Sequence, residues 1–419
     1  MRARRRSRPA RSRPSGTRLA NRGLARGDPG RERRGSGERW TARCELPRDR
    51  RGRSVRRDQP SVRRDRTRLF ALLVRRAPIA GGSRGSRGRA QSVRQSARNR
   101  PASREPRVSA AIDCGSNSVH LLVAVVDEHG VRPLADESTF LGLGSATTDG
   151  YLGSAAIERL VATLVGYARA AQGLGAERVR VVGTEPFRRA SDAGAAAQQV
   201  KRAAGLRLVV IDHDEEAFLT VIGVTGGRRV HGTLLVVDVG GGSTELAVLR
   251  PEEPPRAQGI RVGSSQLTSQ LVEHDPPAEG EIEALRRKAR AAVSGVTRLP
   301  TSRLIAVGGS ATNLLRILPL AGLDQVLTRA RLEEIMETLA TEPASLAAER
   351  HNVSPARARM LPAGAAILEA VLDRFGSDQL EVSDLGIREG LILAASRAGD
   401  RWRQQLPSLV GGWGPPGHE

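Results

Sequence analysis

The sequence of 419 residues has little of several residue types that mark specialised classes of protein. Its only cysteines, Cys44 and Cys114, make neither a disulfide framework nor a set of metal ligands. Aromatic residues make up 2% of the chain, which argues against a platform for stacking the bases of single-stranded nucleic acid. No apolar run approaches the length that spans a membrane, and no hydrophobic signal-peptide core follows a short basic start. We therefore expect a cytoplasmic protein without a membrane partner.

The formal net charge of +22 comes entirely from the first quarter of the chain. Residues 1–106 contain 34 arginines and 8 acidic residues, whereas residues 107–419 contain 33 basic and 37 acidic residues. The basic quarter lacks the apolar periodicity that a packed core needs, so we expect a disordered Arg-rich extension. It could be a basic arm for RNA or DNA, or an organelle transit segment.

A third interpretation of this extension is favoured by the scarcity of lysine. Lys201 and Lys288 are the only lysines in the chain. Such a preference for arginine over lysine is typical of a GC-rich genome. We expect that the translation start has been placed too early and that the native protein begins near Val108. Peptides from residues 20–100 in mass spectra of the mature protein would contradict this expectation. The slightly acidic remainder argues against nucleic acid as a partner of the core.

Residues 107–419 alternate apolar strands with amphipathic helices, which is typical of an α/β fold with mixed sheets. Their number suits two modest domains. We predict a domain I over residues 107–187, completed by the C-terminal helix, and a domain II over residues 188–397. Residues 398–419 close with a Gly- and Pro-rich stretch, and we predict a disordered tail there.

A repeated motif occurs at an offset of 125 residues, about the length of one domain. The stretches "AAIDCGSNSVHLLVAVV" and "LVVDVGGGSTELAVLR" share the pattern apolar-apolar-Asp-x-Gly-x-x-Ser-x-x-Leu-x-Val. Each is predicted to be a hairpin whose turn exposes backbone N–H groups and hydroxyls to an anion. The candidate phosphate-binding residues of the two turns are Gly115, Ser116, Asn117 and Ser118 in the first and Gly240, Gly241, Gly242, Ser243 and Thr244 in the second.

The aspartates that lead the two turns, Asp113 and Asp238, are candidates to hold Mg²⁺, usually through water, against a phosphate. A third glycine turn, "AVGGSATN", adds Gly309 and Ser310 as candidate phosphate contacts. One Asp-x-Gly hairpin is a common structural turn, but two copies with a third glycine turn favour a clamp across a cleft. The trio resembles the phosphate-1, phosphate-2 and adenosine motifs of the actin/Hsp70/sugar-kinase superfamily. That resemblance implies two ribonuclease-H-like domains.

Two further segments lie between the hairpins. "VGTEPFRRASD" places Glu185 just past a strand and Arg188 on the following turn, and "DHDEEAFLTVIGVTGG" places Glu216 in a first helical turn. Together with the hairpins, "GGSATNLL" and "MLPAGAAILEAVL…VSDLGIREGLI", these segments resemble the exopolyphosphatase/guanosine pentaphosphatase (Ppx/GppA) family. The resemblance covers about residues 108–397. It implies a Mg²⁺-dependent hydrolase that removes terminal phosphate from polyphosphate or from guanosine pentaphosphate.

The resemblance also implies roles for the acidic residues. The glutamate of the family's Thr-Glu-x-x-Arg segment falls on Glu185, and that of its Glu-Glu-Ala segment falls on Glu216. Hydrolysis needs a base that orients and deprotonates an in-line water, and a carboxylate in a closed cleft suits that task. Arg188 offers a bidentate contact to phosphate. Plainer interpretations exist, since acidic residues at a helix start are stabilised by the helix dipole and aspartates cap turns.

Two departures from the family's pattern bear on the site. The strand "LRLVV" before Glu-Glu-Ala is wholly apolar where many members carry an acidic residue, which puts a metal ligand there in doubt. Gln266 stands where an arginine is frequent, so one phosphate contact could be missing. The alternatives are an ATP-dependent small-molecule kinase of the same superfold and a non-catalytic sensor of guanosine polyphosphates. A homodimer is left open because the family often pairs.

Overall fold

The computed structural model describes residues 106–127, 130–147, 149–317 and 325–413. The predictions of a disordered extension and of a start near Val108 concern residues 1–105, which lie outside the described residues. Within the described ranges the chain forms eleven strands and thirteen α-helices.

The first sheet has five strands in the order β3-β2-β1-β4-β5. Its first three strands are antiparallel neighbours, and β4 and β5 continue parallel to β1. The strands are β1 (Arg107–Cys114), β2 (Ser118–Asp127), β3 (Gly130–Phe140), β4 (Arg178–Gly183) and β5 (Leu208–Val210). The helices of this part are α1 (Leu143–Ala146), α2 (Ser154–Gly173), α3 (Glu185–Arg189) and α4 (Ala193–Ala204).

The second sheet has six strands in the order β10-β11-β9-β6-β7-β8. The strands are β6 (Leu234–Val239), β7 (Thr244–Leu249), β8 (Arg256–Ile260), β9 (Arg303–Val307), β10 (Val326–Thr328) and β11 (Gln379–Val382). The remaining helices are α5 (His213–Thr225), α6 (Ser264–Leu271), α7 (Glu279–Ser294), α8 (Gly308–Leu314), α9 (Arg329–Thr341), α10 (Ala344–His351), α11 (Pro355–Phe375), α12 (Ile387–Ala398) and α13 (Trp402–Leu409).

The two sheets repeat one topology. Strands β8-β7-β6-β9-β11 have the order and directions of β3-β2-β1-β4-β5, and β10 is added antiparallel to β11. The repeated sequence motif is therefore the first hairpin of each sheet, and the prediction of mixed α/β sheets is confirmed. In each sheet a parallel strand, β4 or β9, pairs with the strand that carries the leading aspartate, β1 or β6.

The first sheet extends beyond the predicted domain boundary after residue 187, which falls inside α3. Val181 and Gly183 of β4 pair with Leu208 and Val210 of β5, so the first sheet extends to residue 210. The short apolar run 206–211 indicates a strand but carries no signal for which sheet it joins.

The described part of the predicted disordered tail, residues 398–413, contains a packed helix. Helix α13 buries Trp402, Leu406 and Leu409 in the core that α5 and α12 share. These residues recur at helical spacing, which is the signal that the Gly- and Pro-rich end obscured. The chain then returns over α5, where the backbone N–H of Trp413 donates to the carbonyl of Gly227 at 2.9 Å.

Helices α5 and α12 pack closely in a core that includes residues of both sheets. An added Cβ on Gly223 of α5 would overlap the carbonyl group of Gly386, and one on Gly390 of α12 would overlap the carbonyl group of Leu219. The contact is therefore backbone to backbone, and no side chain can yield to relieve it.

We expect Gly223→Ala to lower the free energy of unfolding by about 2–3 kcal/mol, because overpacking must push α5 away from α12. The matched control is Gly166→Ala in the middle of α2, where an added Cβ meets no atom within 4 Å. That change should raise stability by about 0.5–1 kcal/mol. Denaturant midpoints of the two variants check the prediction, and equal midpoints would contradict it.

Candidate active site

The turns of the two hairpins have the same internal geometry. The backbone N–H of Gly115 donates to the carbonyl of Ser118 at 3.1 Å, and the N–H of Gly240 donates to the carbonyl of Ser243 at 3.0 Å. We call the β1–β2 turn the first hairpin turn and the β6–β7 turn the second hairpin turn. Each turn follows a strand that carries the leading aspartate of its motif.

The two turns lie against each other. An added Cβ on Gly241 would overlap the side-chain amide of Asn117, and one on Gly242 would overlap the carboxylate of Glu185 and approach the hydroxyl of Ser116. Glycine is thus required at the second turn because side chains of the first domain occupy the space that a Cβ would take. The structure brings together the two turns that the sequence pattern singled out.

Glu185 begins α3 directly after β4, the strand that runs parallel to β1. Its Oε2 accepts a hydrogen bond from Ser116 Oγ at 2.8 Å. Its Oε1 lies 3.0 Å from Arg189 Nε, and Arg189 is held by a second bond from Nη2 to the carbonyl of Gly144 at 2.7 Å. The carboxylate is therefore oriented on both oxygens and lies between the two hairpin turns.

Arg188 lies at the centre of a separate, largely buried polar network. Its Nη1 is 2.5 Å from Glu216 Oε2, and its Nη2 is 3.3 Å from Glu245 Oε1. The same Nη2 is 3.3 Å from Ser243 Oγ and 3.2 Å from His213 Nδ1. The two predicted catalytic glutamates thus belong to different networks, with Glu185 at the turns and Glu216 paired with Arg188.

Glu245 and His213 belong to this network and were missed by the sequence analysis. Glu245 has a clear signal, because it is the only charged residue of β7, a strand with all six residues buried. His213 has no comparable signal, since its ring is placed by tertiary contacts. Its Nδ1 lies 2.8 Å from Glu245 Oε1, and an added Cβ on Gly259 would overlap the ring.

The leading aspartates are buried, and burial raises the pKa of both carboxyl groups. Burial, reinforced by the charge of Glu245, raises the pKa of Asp238 to about 7. Burial raises the pKa of Asp113 to about 6, although the positive charges of Arg388 and Arg188 oppose this rise. Strand register adds to the effect, because Asp238 and Glu245 are direct partners across β6 and β7, and like charges in such pairs are destabilising.

Three further observations indicate that the buried carboxylates of this region suit a cation. Asp113 Oδ1 is buried and has no hydrogen-bond partner among the described residues. Burial followed by the charge of Glu245 raises the pKa of Glu216 well above its usual range, although Arg188 opposes this. His213, Glu216 and Glu245 also bring one ligand atom each within 4.8 Å of one another. Oxygen-rich groups of this kind fit the ligand preference of Mg²⁺.

We expect the free energy of unfolding of the metal-free protein to fall as the pH rises from about 4 to about 7. The pKa of Asp238 is about 7 in the folded state, against an ordinary value of 3.8 for the unfolded chain. The unfolded state therefore loses its proton first as the pH rises, and it is stabilised relative to the folded state over this range. The full loss for this residue is about 4 kcal/mol at 1.36 kcal/mol per pKa unit, of which about 3 kcal/mol falls between pH 4 and pH 7. Denaturation with chelator at pH 4 and pH 7 measures it.

Asp238→Asn should reduce this pH dependence, whereas the exposed control Asp384→Asn should leave it unchanged. The same pH dependence in the Asp238 variant and the unchanged protein would contradict the assignment.

Three other predicted phosphate contacts, Thr244, Ser310 and Gly309, lie in different surroundings. Thr244 is fully buried and its Oγ1 donates to the carbonyl of Val262 at 2.7 Å, so this hydroxyl is used inside the second domain. Ser310 Oγ lies 3.3 Å from Ser264 Oγ and is buried as well. Gly309 lies against the guanidinium of Arg357, which an added Cβ there would overlap. The sequence pattern carries no information on where the hydroxyls of Thr244 and Ser310 point.

Arg357 at the start of α11 is a further residue that the sequence analysis missed. Its Nη2 donates to Ser118 Oγ at 3.2 Å, which links the second domain to the first hairpin turn. Burial and the nearby charge of Arg316 lower the pKa of this guanidinium, and no carboxylate among the described residues pairs with it. A guanidinium in this position can pair with an anion that enters between the turns.

Two sheets of one topology, each beginning with an Asp-led glycine hairpin, define an actin-like two-domain protein. A model of the Ppx/GppA phosphatase family matches residues 122–397. The chain belongs to the Ppx/GppA phosphatase family. Both the predicted family and the predicted actin-like fold are confirmed.

Curated relatives and solved structures agree with this membership. The chain is 30% identical over 299 residues to exopolyphosphatase 1 of Mycobacterium tuberculosis (strain ATCC 25618 / H37Rv), which covers 67% of this chain and 86% of the relative. It is 27% identical over 287 residues to guanosine-5'-triphosphate,3'-diphosphate pyrophosphatase of Vibrio vulnificus (strain YJ016). That alignment covers 67% of this chain and 58% of the relative. The crystal structure of the Aquifex aeolicus Ppx/GppA family member aligns with a TM-score of 0.61 at 28% identity, covering 70% and 99%.

None of the described helices combines the length and the apolar composition that a membrane crossing requires.

Proposed function

We propose that the protein hydrolyses the terminal phosphoanhydride of inorganic polyphosphate, of guanosine pentaphosphate, or of both. In this proposal a water attacks the terminal phosphorus in line with the leaving oxygen, and Glu185 activates that water. The observation that carries the proposal is the position of the Glu185 carboxylate between two phosphate-type hairpin turns.

Binding of the phosphate chain is assigned to the two turns. Their backbone N–H groups and the hydroxyls of Ser116 and Ser118 are proposed to contact it, because successive N–H groups of a turn form an anion-binding concavity. Arg357 adds a guanidinium beside Ser118. Because glycines let the two turns approach closely, a phosphate can be contacted from both domains at once.

Proton removal from the water is assigned to Glu185. Ser116 and Arg189 fix the direction of its carboxylate, which leaves the remaining lone pairs of both oxygens to accept the proton. A positioned base of this kind contributes about 10²- to 10⁴-fold to the rate. Glu216 is proposed to act indirectly, since it pairs with Arg188 and holds that guanidinium beside Ser243.

The buried carboxylates fit Mg²⁺, which we propose is held by Asp113 and Asp238, largely through water. The bound ion would neutralise charge on the terminal phosphate oxygens during transfer. The unpartnered Oδ1 of Asp113 supports this assignment. The apolar strand β5 contributes no carboxylate, and Glu216 and Glu245 are already paired with Arg188.

The experiment that tests the proposal is phosphate release from polyphosphate, guanosine pentaphosphate and ATP with Mg²⁺. Release from either of the first two without an acceptor supports hydrolysis. ADP formation that requires an acceptor would select the kinase, and tight binding without release from any substrate would select the sensor. A cytoplasmic location and a homodimer stay predictions of the sequence.

A further inference from the structure

The two motif serines, Ser118 and Ser243, each accept a hydrogen bond from an arginine of the other domain. They occupy the same place in the repeated motif, five residues after the leading aspartate. Arg357 belongs to α11, which packs in the core of the second domain, and its Nη2 donates to Ser118 Oγ at 3.2 Å. Arg188 belongs to α3 of the first domain, and its Nη2 donates to Ser243 Oγ at 3.3 Å. The two bonds are therefore reciprocal, one in each direction between the domains.

The direction of these bonds decides what each serine hydroxyl can still do. A guanidinium has only donors, so each serine oxygen acts as the acceptor and keeps its own hydrogen. Within the described ranges neither hydroxyl donates that hydrogen, although both serines are only 3% exposed. A buried donor without an acceptor is costly, so it indicates a ligand that accepts hydrogen bonds. The oxygens of a phosphate chain are acceptors of this kind.

Other hydroxyls close to the second turn are satisfied inside the protein. Thr244 Oγ1 donates to the carbonyl of Val262 at 2.7 Å. Ser264 Oγ donates to the carbonyl of Gly240 at 3.2 Å. Each of these hydroxyls has used its hydrogen within the second domain, so the unused hydrogens of the two motif serines set them apart.

Arg188 has little bonding capacity left for a phosphate of its own. Its Nη1 donates to Glu216 Oε2 at 2.5 Å and to the carbonyl of Ile211 at 3.2 Å. Its Nη2 donates to Ser243 Oγ and to Glu245 Oε1, both at 3.3 Å. Four of its five N–H groups are therefore engaged. A bidentate contact with phosphate, as predicted from the sequence, would have to break at least one of these bonds.

We propose that Arg188 and Arg357 are reciprocal positioning residues, which orient the hydroxyls of Ser243 and Ser118 so that both donate to the bound phosphate chain. This inference rests on the proposed function, because it says how the clamp presents donors to its substrate. Each bond joins the two domains, so the hydroxyls are oriented only while the domains are in contact. Binding of phosphate and contact between the domains are thereby linked.

The test is a set of double-mutant cycles on the binding of methylenediphosphonate, a phosphate-chain analogue without a cleavable anhydride, measured by calorimetry with Mg²⁺. Ser118→Ala and Arg357→Gln should each weaken binding about tenfold or more, because a hydrogen bond to a charged group is lost. The double variant should bind at most about threefold more weakly than the weaker single variant, since the arginine acts through the serine. Arg188→Lys keeps a charge beside the buried carboxylates and should be coupled to Ser243→Ala in the same way.

The matched control combines Arg357→Gln with Ser243→Ala, two residues that the structure does not pair. Their losses should multiply to about 100-fold or more, because separate contacts add in free energy. In polyphosphate hydrolysis, Ser118→Ala and Ser243→Ala should raise KM more than they lower kcat, as expected for a contact made before and during the reaction.

Losses that multiply in either native pair, a crossed pair coupled as strongly as the native pairs, or unchanged affinity in either serine variant would overturn the inference. Because the analogue cannot be hydrolysed, this outcome is separate from that of the proposed function. Coupled losses of affinity in a protein that releases phosphate from no substrate would contradict the function alone.

Discussion

Glu185→Gln is expected to lower kcat for phosphate release by about 10²- to 10⁴-fold, with little change in KM. Glutamine keeps the shape of the side chain and can still accept the hydrogen bond from Ser116 Oγ, so the two turns should stay in place. It cannot take a proton from water at neutral pH, so the step assigned to Glu185 is lost. Steady-state phosphate release at saturating substrate measures the effect.

The control for this substitution is Glu158→Gln, an exposed glutamate on α2, which should keep full activity. Substrate binding gives a second readout, because a fall in kcat at constant affinity separates loss of the base from loss of the clamp. A Glu185→Gln protein that hydrolyses at the original rate would remove the base assignment.

Gly242→Ala is expected to lower kcat/KM by about 100-fold or more, although only one methyl group is added. That group would overlap the Glu185 carboxylate and approach the Ser116 hydroxyl, so either the base rotates away or the turns separate. Both outcomes displace the base from the phosphate that the turns hold. Phosphate-release kinetics together with a stability measurement distinguish this local effect from unfolding.

The matched control is Gly280→Ala at the start of α7, where an added Cβ meets no atom within 4 Å. It should leave activity and stability nearly unchanged. If Gly242→Ala retained full activity, the close approach of the second turn to Glu185 would have no part in catalysis.

The hairpin repeat was the part of the site that the sequence could predict. Its signal is local, because Asp, Gly and Ser recur at fixed spacing within one strand, turn and strand. In the structure, the two turns have matching N–H···O=C bonds, donated by Gly115 and Gly240. The repeat also predicts that the two sheets have the same strand order, because each hairpin begins one domain.

The rest of the site depends on contacts between distant residues. Arg357 reaches Ser118 from 239 positions along the chain, and His213 is placed by Glu245 and the bare backbone at Gly259. Such contacts leave no periodic pattern in either segment. Glu245 was predictable in principle, since it is the only charged residue of an otherwise largely apolar strand and a buried charge requires a partner.

The fold, like the site, has parts that local sequence predicts and parts that depend on contacts between distant residues. Helix content and strand runs follow from apolar periodicity, but the assignment of β5 to the first sheet depends on pairing with β4. The burial of Trp402 depends likewise on the shared core of α5 and α12. Boundaries between domains are therefore weaker predictions than the elements themselves.

The most direct test of the central claim is hydrolysis in water enriched in oxygen-18, with Mg²⁺ and either polyphosphate or guanosine pentaphosphate. Attack of water on the terminal phosphorus predicts one labelled oxygen in each released orthophosphate and none in the shortened chain. Label in the shortened chain would place the attack on the neighbouring phosphorus. Release that requires an acceptor and carries no label would contradict hydrolysis altogether.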